Sequence, residues 1–185
     1  MTEMPSFTIL CVCTGNVCRS PAAERLLAAA LGPTVSVLSA GTHALAGQSF
    51  SPPMDQLVQA GGADPVGFVA RQLSPTHLRG ADLVLGMARE HRSAAVECFP
   101  AAVRRSFTLR EYARLLGQVD PALLPAGSAA ERARASLPLA AAQRQRAAAD
   151  EDDVADPYRR GESEYARAYA DIERAVNAIA QVLNR

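Results

Sequence analysis

The sequence predicts an α/β fold, a parallel sheet covered by helices on both faces. Three observations carry that expectation. Short apolar runs rich in strand formers alternate with helical stretches between Phe7 and Thr108. The first run leads through a Gly-Asn loop into a stretch of helix formers, as in a strand-loop-helix unit. The C-terminal residues repeat apolar side chains at helical spacing, as a helix packed on a sheet requires.

The elements follow in order. Phe7 to Val12 (FTILCV) reads as the first strand, and Pro21 to Leu31 opens with proline and continues in helix formers. Val35 to Leu38 is a second strand, and a helix from Met54 to Ala60 stops at Gly61-Gly62. Asp82 to Met87 is a third strand, Glu90 to Cys98 a helix ending before Pro100, and Val103 to Thr108 a fourth strand. From Gly117 to Asp153 the pattern fails among scattered prolines, an Ala/Arg-rich stretch and an acidic run. That region, about 117–153, is expected to be an insertion, partly helical or mobile, within a single domain spanning 1–185, and to be a tolerated surface loop in preference to a docking site for a partner. Glu162 to Asn184 then places Tyr165, Tyr169, Ile172, Val176, Ile179 and Leu183 on one helical face.

Composition narrows the function. Acidic and basic residues cancel at 19 each and the bases are spread out, so neither nucleic acid nor a membrane surface is an expected partner. There is no lysine. A P-loop lysine, a kinase lysine and Schiff-base chemistry are thereby excluded, and arginine must handle anions. No apolar run approaches a membrane span, and Met1 to Ser6 lacks the pattern of a secretory signal. A cytoplasmic chain with reduced thiols is the expectation.

The chemistry concentrates in CTGNVCRS, Cys13 to Ser20. A loop ending at a helix N-terminus presents several backbone N–H groups to one point, and the helix dipole adds positive potential, which favours an anion such as phosphate. Gly15 and Asn16 tolerate the positive φ such a cradle needs. Arg19 supplies a bidentate fork, and the same field favours Cys13 as a nucleophilic thiolate. Ser20 could steady that thiolate as a leaving group. Cys11 and Cys98 read as small buried hydrophobes. A zinc site built on Cys11, Cys13 and Cys18 is disfavoured by its spacing and by the lack of a nearby histidine, so no metal and no cofactor is expected.

LCVCTGNVCRSPAAERLL resembles the signature of the low-molecular-weight protein tyrosine phosphatases, and SAGT (Ser39 to Thr42), ARQL (Ala70 to Leu73), ADLVLGM (Ala81 to Met87) and DPY (Asp156 to Tyr158) continue the likeness in order. The resemblance implies a flavodoxin-like three-layer sandwich on a four-stranded parallel sheet, and metal-free hydrolysis of phosphotyrosine through a phosphocysteine. It implies Cys13 as nucleophile, Arg19 as phosphate ligand and Asp156 as general acid. Thr14, Gly15, Asn16, Val17, Cys18, Ser20 and Ser39 are implied as the phosphate loop and its support, and His43, Leu45 and Tyr158 as the substrate pocket. The implied partner is a phosphotyrosine protein, the chain itself a monomer or weak dimer.

One carboxyl group can serve both chemical steps, protonating the phenolic leaving group and then activating water. Asp156 suits that task, although Asp-Pro is also an ordinary turn signal. Cys18 has two readings: a thiol that captures oxidised Cys13 as a disulfide, or a buried thiol. The chain departs from the family at Phe68, where a histidine often precedes Ala-Arg-Gln, leaving His77 or His43 as substitutes. Three rivals are weighed. A thioredoxin-coupled arsenate reductase of the same fold needs more cysteines than Cys98 beyond the third strand. The D-x-D-x-V pattern in DEDDV, Asp150 to Val154, resembles the magnesium-dependent haloacid dehalogenase-like enzymes but reads as a solvated acidic run. A phosphotyrosine-binding module without turnover has no need of an acid.

Overall fold

A computed structural model describes residues 6–144 and 152–185. Four parallel strands form one sheet in the order β2-β1-β3-β4: β1 Phe7–Cys13, β2 Val35–Gly41, β3 Leu83–Gly86 and β4 Ser106–Thr108. This is the expected flavodoxin-like arrangement. The chain order reverses between β1 and β3, and the crevice at that reversal, beyond the carboxyl ends of the strands, is where such folds bind ligands.

Alternation along β1 divides the core. Phe7, Ile9, Cys11 and Cys13 face one layer and Leu10 and Val12 the other. The first layer is formed by α1 (Arg19–Leu31), α5 (Leu109–Leu116), α6 (Ala129–Ala142) and α7 (Glu162–Leu183), the second by α3 (Pro75–Gly80) and α4 (Arg89–Cys98). The short α2 (Met54–Ala60) buries Met54 and Val58 against α1 and α7. All six apolar residues expected on the inner face of α7 are buried.

Several elements differ from expectation. α1 begins at Arg19, so the arginine and Ser20 belong to its first turn. β4 shortens to three residues because Pro100–Arg105 winds as a 3-10 helix, leaving Val103 exposed at 43%. α3 and α5 were not anticipated. Both carry local start signals: the Ser74 hydroxyl accepts from His77 N–H, and Thr108 and Glu111 form a capping box. Cys98 is exposed at the end of α4, not buried, because the helix turns its inner face through His91 and Ala95.

The 117–153 region is the larger correction. It is partly helical, but α6 is no surface loop. A second capping box, Ser128 with Glu131, starts it, and Ala130, Ala133 and Ala140 are buried in the main core. Ser136 Oγ lies 2.6 Å from the hydroxyl of the fully buried Tyr112, and Arg132 donates to the carbonyls of Val182 and Pro125. Among the described residues no helix is long and apolar enough to cross a membrane.

Ala130→Leu, which forces a larger side chain into this close-packed layer, is expected to cost about 1–3 kcal/mol in denaturant unfolding. An unchanged midpoint would show that α6 adds nothing to the core.

Candidate active site

β1 delivers Cys13 to the reversal point, and the next five residues curl back to Arg19 at the start of α1. The left-handed turn falls on Asn16, with φ 54°, and not on Gly15. Glycine is required instead at Gly41, where a Cβ would stand 2.4 Å from the Thr14 carbonyl oxygen. That approach lets the loop after β2 join the cradle edge to edge.

The thiol of Cys13 is buried, with Sγ 2.9 Å from Ser20 Oγ and accepting the Asn16 backbone N–H at 3.3 Å. Behind it, Asn16 Nδ2 donates at 2.9 Å to both Ser20 Oγ and Ser39 Oγ, while its Oδ1 accepts the Arg71 backbone N–H at 2.8 Å. Ser39 in turn donates to Glu24. Burial pushes the Glu24 carboxyl above its ordinary range, with the Ser39 hydrogen bond pulling the other way. Glu24 was not foreseen. Its position five residues after Arg19, one turn and a half along α1, was the available signal.

Arg19 is only 4% exposed. One guanidinium nitrogen donates to the Val154 carbonyl at 3.1 Å and the other meets Asp156 Oδ2 at 3.0 Å. Asp156 is half exposed, and its Oδ1 accepts the Tyr158 backbone N–H at 3.1 Å. A cleft of about 210 Å³ is lined by Cys13, Thr14, Gly15, Val17, Cys18, Arg19, His43, Leu45, Asp156 and Tyr158. The expected pocket residues therefore converge, with Asn16, Ser20 and Ser39 behind Cys13.

Phe68 packs on Phe50 at 5.0 Å between ring centroids, and neither proposed histidine replaces the missing one. His77 bonds Ser74 at the start of α3, and His43 stands exposed on the cleft wall. The histidine that touches the cradle is His91, missed in the sequence although it lies in the first turn of the helix after β3. Its Nε2 is 2.9 Å from Thr14 Oγ1. Burial, helped by the Arg19 charge and opposed by Asp156 and Asp153, lowers it to about 4, with Glu90 also 3.5 Å away. Cys18 Sγ sits 3.8 Å from the Tyr165 hydroxyl, and burial raises this thiol to about 11, so it stays protonated.

The acidic run is not simply solvated. Asp152 is buried and takes a two-point contact from Arg114 at 3.2 and 2.7 Å, because the chain must be held against the strand ends here. Its carbonyl accepts from the Thr108 hydroxyl, Asp153 accepts the Arg89 backbone N–H, and Val154 N–H donates to Met87 O. Asp150 lies outside the described residues, among which no three His, Cys, Asp or Glu side chains form a metal-binding group.

A model of the low molecular weight phosphotyrosine protein phosphatases matches residues 8–124. The chain belongs to this family. It is 31% identical over 176 residues to the low molecular weight protein-tyrosine-phosphatase Wzb of Salmonella typhi, covering 95% of this chain and 93% of that one. Among solved structures, Vibrio vulnificus Wzb in complex with benzylphosphonate aligns at 25% identity and TM-score 0.70, over 95% of this chain and 97% of that one. The YwlE arginine phosphatase from Geobacillus stearothermophilus aligns at 29% identity and TM-score 0.71, over 96% and 93%. This chain is a phosphatase, and its relatives divide between tyrosine and arginine phosphatases.

His91 gives this phosphatase a measurable pH signature. The unfolded chain binds its proton below about 6.5 and the folded chain only below about 4, so stability falls as pH drops through that window. The loss is on the order of 3 kcal/mol. His91→Gln is expected to flatten the pH dependence of urea unfolding relative to the native chain between those values; parallel profiles would contradict it.

Proposed function

We propose that this phosphatase hydrolyses phosphotyrosine in proteins by two successive displacements at phosphorus. The convergence of Cys13, Arg19 and Asp156 on one cleft carries the reading. The Cys13 thiolate attacks phosphorus while the P–O bond to the aryl group breaks. Asp156 gives its proton to the departing phenolate oxygen. Water then attacks the phosphocysteine, Asp156 takes the water's proton, and the P–S bond breaks to release inorganic phosphate and the thiolate. Ser20, 2.9 Å from Cys13 Sγ, supports that thiolate as it leaves.

The loop N–H groups and the start of α1 oppose the charge on the equatorial oxygens, and Arg19 clamps two of them. In the free enzyme Arg19 holds Asp156. A bound phosphoryl group takes over the guanidinium and leaves Asp156 facing the scissile oxygen.

The cleft favours an aryl substrate. Cys13 lies at 2% exposure at the bottom, so the phosphate must be carried there on a long side chain. Val17, Leu45 and Tyr158 supply apolar and aromatic walls for a ring. The likeness to an arginine phosphatase keeps phosphoarginine as the second reading. Against it, Val17, Leu45 and Tyr158 make the wall beside the reacting phosphate apolar and aromatic, and the one carboxylate among the described lining residues, Asp156, is committed to proton transfer, which leaves no further counter-charge for a guanidinium.

The test is hydrolysis of p-nitrophenyl phosphate in EDTA. Cys13→Ser is expected to abolish turnover, and Asp156→Asn to lower kcat about 10²–10⁴-fold. Matched phosphotyrosyl and phosphoarginyl peptides then separate the two readings by kcat/KM. Undiminished turnover by Cys13→Ser would overturn the mechanism, and preference for phosphoarginine would overturn the substrate.

A further inference from the structure

The phosphate cradle is held differently on its two sides. Along one edge the loop after β2 takes three successive carbonyls: Thr42 N–H to Cys13 O at 2.9 Å, His43 N–H to Thr14 O at 3.0 Å, and Leu45 N–H to Gly15 O at 2.9 Å. On the side facing α4 the contact is made by side chains, Thr14 Oγ1 with His91 Nε2 at 2.9 Å.

His91 is 2% exposed in the first turn of α4. Gly86 lets that turn approach the sheet, since a Cβ there would fall 2.7 Å from the Arg92 backbone nitrogen. The other ring nitrogen, Nδ1, is buried and has no hydrogen-bond partner among the described residues. This decides the tautomer. A buried N–H without an acceptor is rarer and costlier than a lone pair without a donor, so the proton of the neutral ring belongs on Nε2. Nε2 faces Thr14 Oγ1 and, at 3.5 Å, Glu90 Oε1. With Nε2–H donating to Thr14, the threonine's own hydroxyl hydrogen is free to turn elsewhere, and Thr14 lines the cleft.

We propose that His91 is a positioning residue of the cradle: it donates to Thr14 Oγ1 and so aims the threonine hydroxyl as a donor to a phosphoryl oxygen. Histidine suits this place because it can donate one hydrogen bond without charge. A permanently charged side chain would stand against Arg19, which already supplies the cation. The inference rests on the reading of residues 13–20 as a phosphate cradle.

The experiment measures inorganic phosphate as a competitive inhibitor of p-nitrophenyl phosphate hydrolysis at pH 7. His91→Leu and Thr14→Val are each expected to weaken phosphate binding about tenfold, as loss of a hydrogen bond to a charged oxygen does. The double variant is expected to be no weaker than either single one, because the two act as a unit. His91→Gln and Thr14→Ser, which keep the donor and the hydroxyl, are expected to bind phosphate within about twofold of the native chain. A general loss of packing would not be rescued in this way. Thr14→Val leaves α4 untouched and reads the same pair should His91→Leu fail to fold. Native phosphate inhibition in Thr14→Val, or single effects that multiply in the double variant, would overturn the proposal. Failure of phosphate to inhibit the native enzyme would overturn the cradle reading together with it, whereas inhibition of the native chain that His91→Leu and Thr14→Val both retain overturns the role of His91 alone.

Discussion

A guanidinium buried to 4% exposure must be matched by negative charge and by hydrogen-bond acceptors, and around Arg19 the chain is arranged to meet that demand. Both partners of the side chain come from one segment, the Val154 carbonyl and the Asp156 carboxylate, 135 residues or more further along the chain. The helix dipole of α1 and the loop N–H groups add positive potential at the same point. A site so built is under-supplied with negative charge. In the proposed mechanism an incoming phosphate dianion completes it and displaces the contact between Arg19 and Asp156.

Cys13, the proposed nucleophile, is backed by a second line of polar groups running away from the cleft. From Cys13 it passes through Ser20, Asn16 and Ser39 to Glu24, each side chain buried and hydrogen-bonded to the next. Such a line is stable only when every member is satisfied. Glu24 supplies its inner end. Phe68 stands outside this line, its ring packed against Phe50.

Much of this was legible in the residues themselves. The order of strands, the cradle and its helix follow from local pattern, because β1, the loop and α1 are contiguous and each speaks for its own conformation. The acid was legible only through resemblance, since Asp-Pro-Tyr carries no local mark of its distance from Cys13. Glu24 and His91 escaped because their significance lies in contacts across the sheet, and a buried glutamate on an alanine-rich helix looks like any solvated one. The burial of α6 escaped for a related reason: alanines give no amphipathic contrast, yet small side chains are what allow that helix to lie close against α5 and α7. Asp152 was read by composition as part of an acidic run, whereas its burial depends on Arg114 arriving from α5.

The fastening of Asp152, Asp153 and Val154 to Thr108, Arg89 and Met87 re-registers the chain immediately before Asp156. Displacements arising upstream end at that clasp. Val154 and Asp156 are only two positions apart, too few to accumulate error of their own. The short segment that meets Arg19 is thereby indexed directly to the sheet, so the position of its carboxylate is fixed by backbone contacts and not by the length of chain that precedes it.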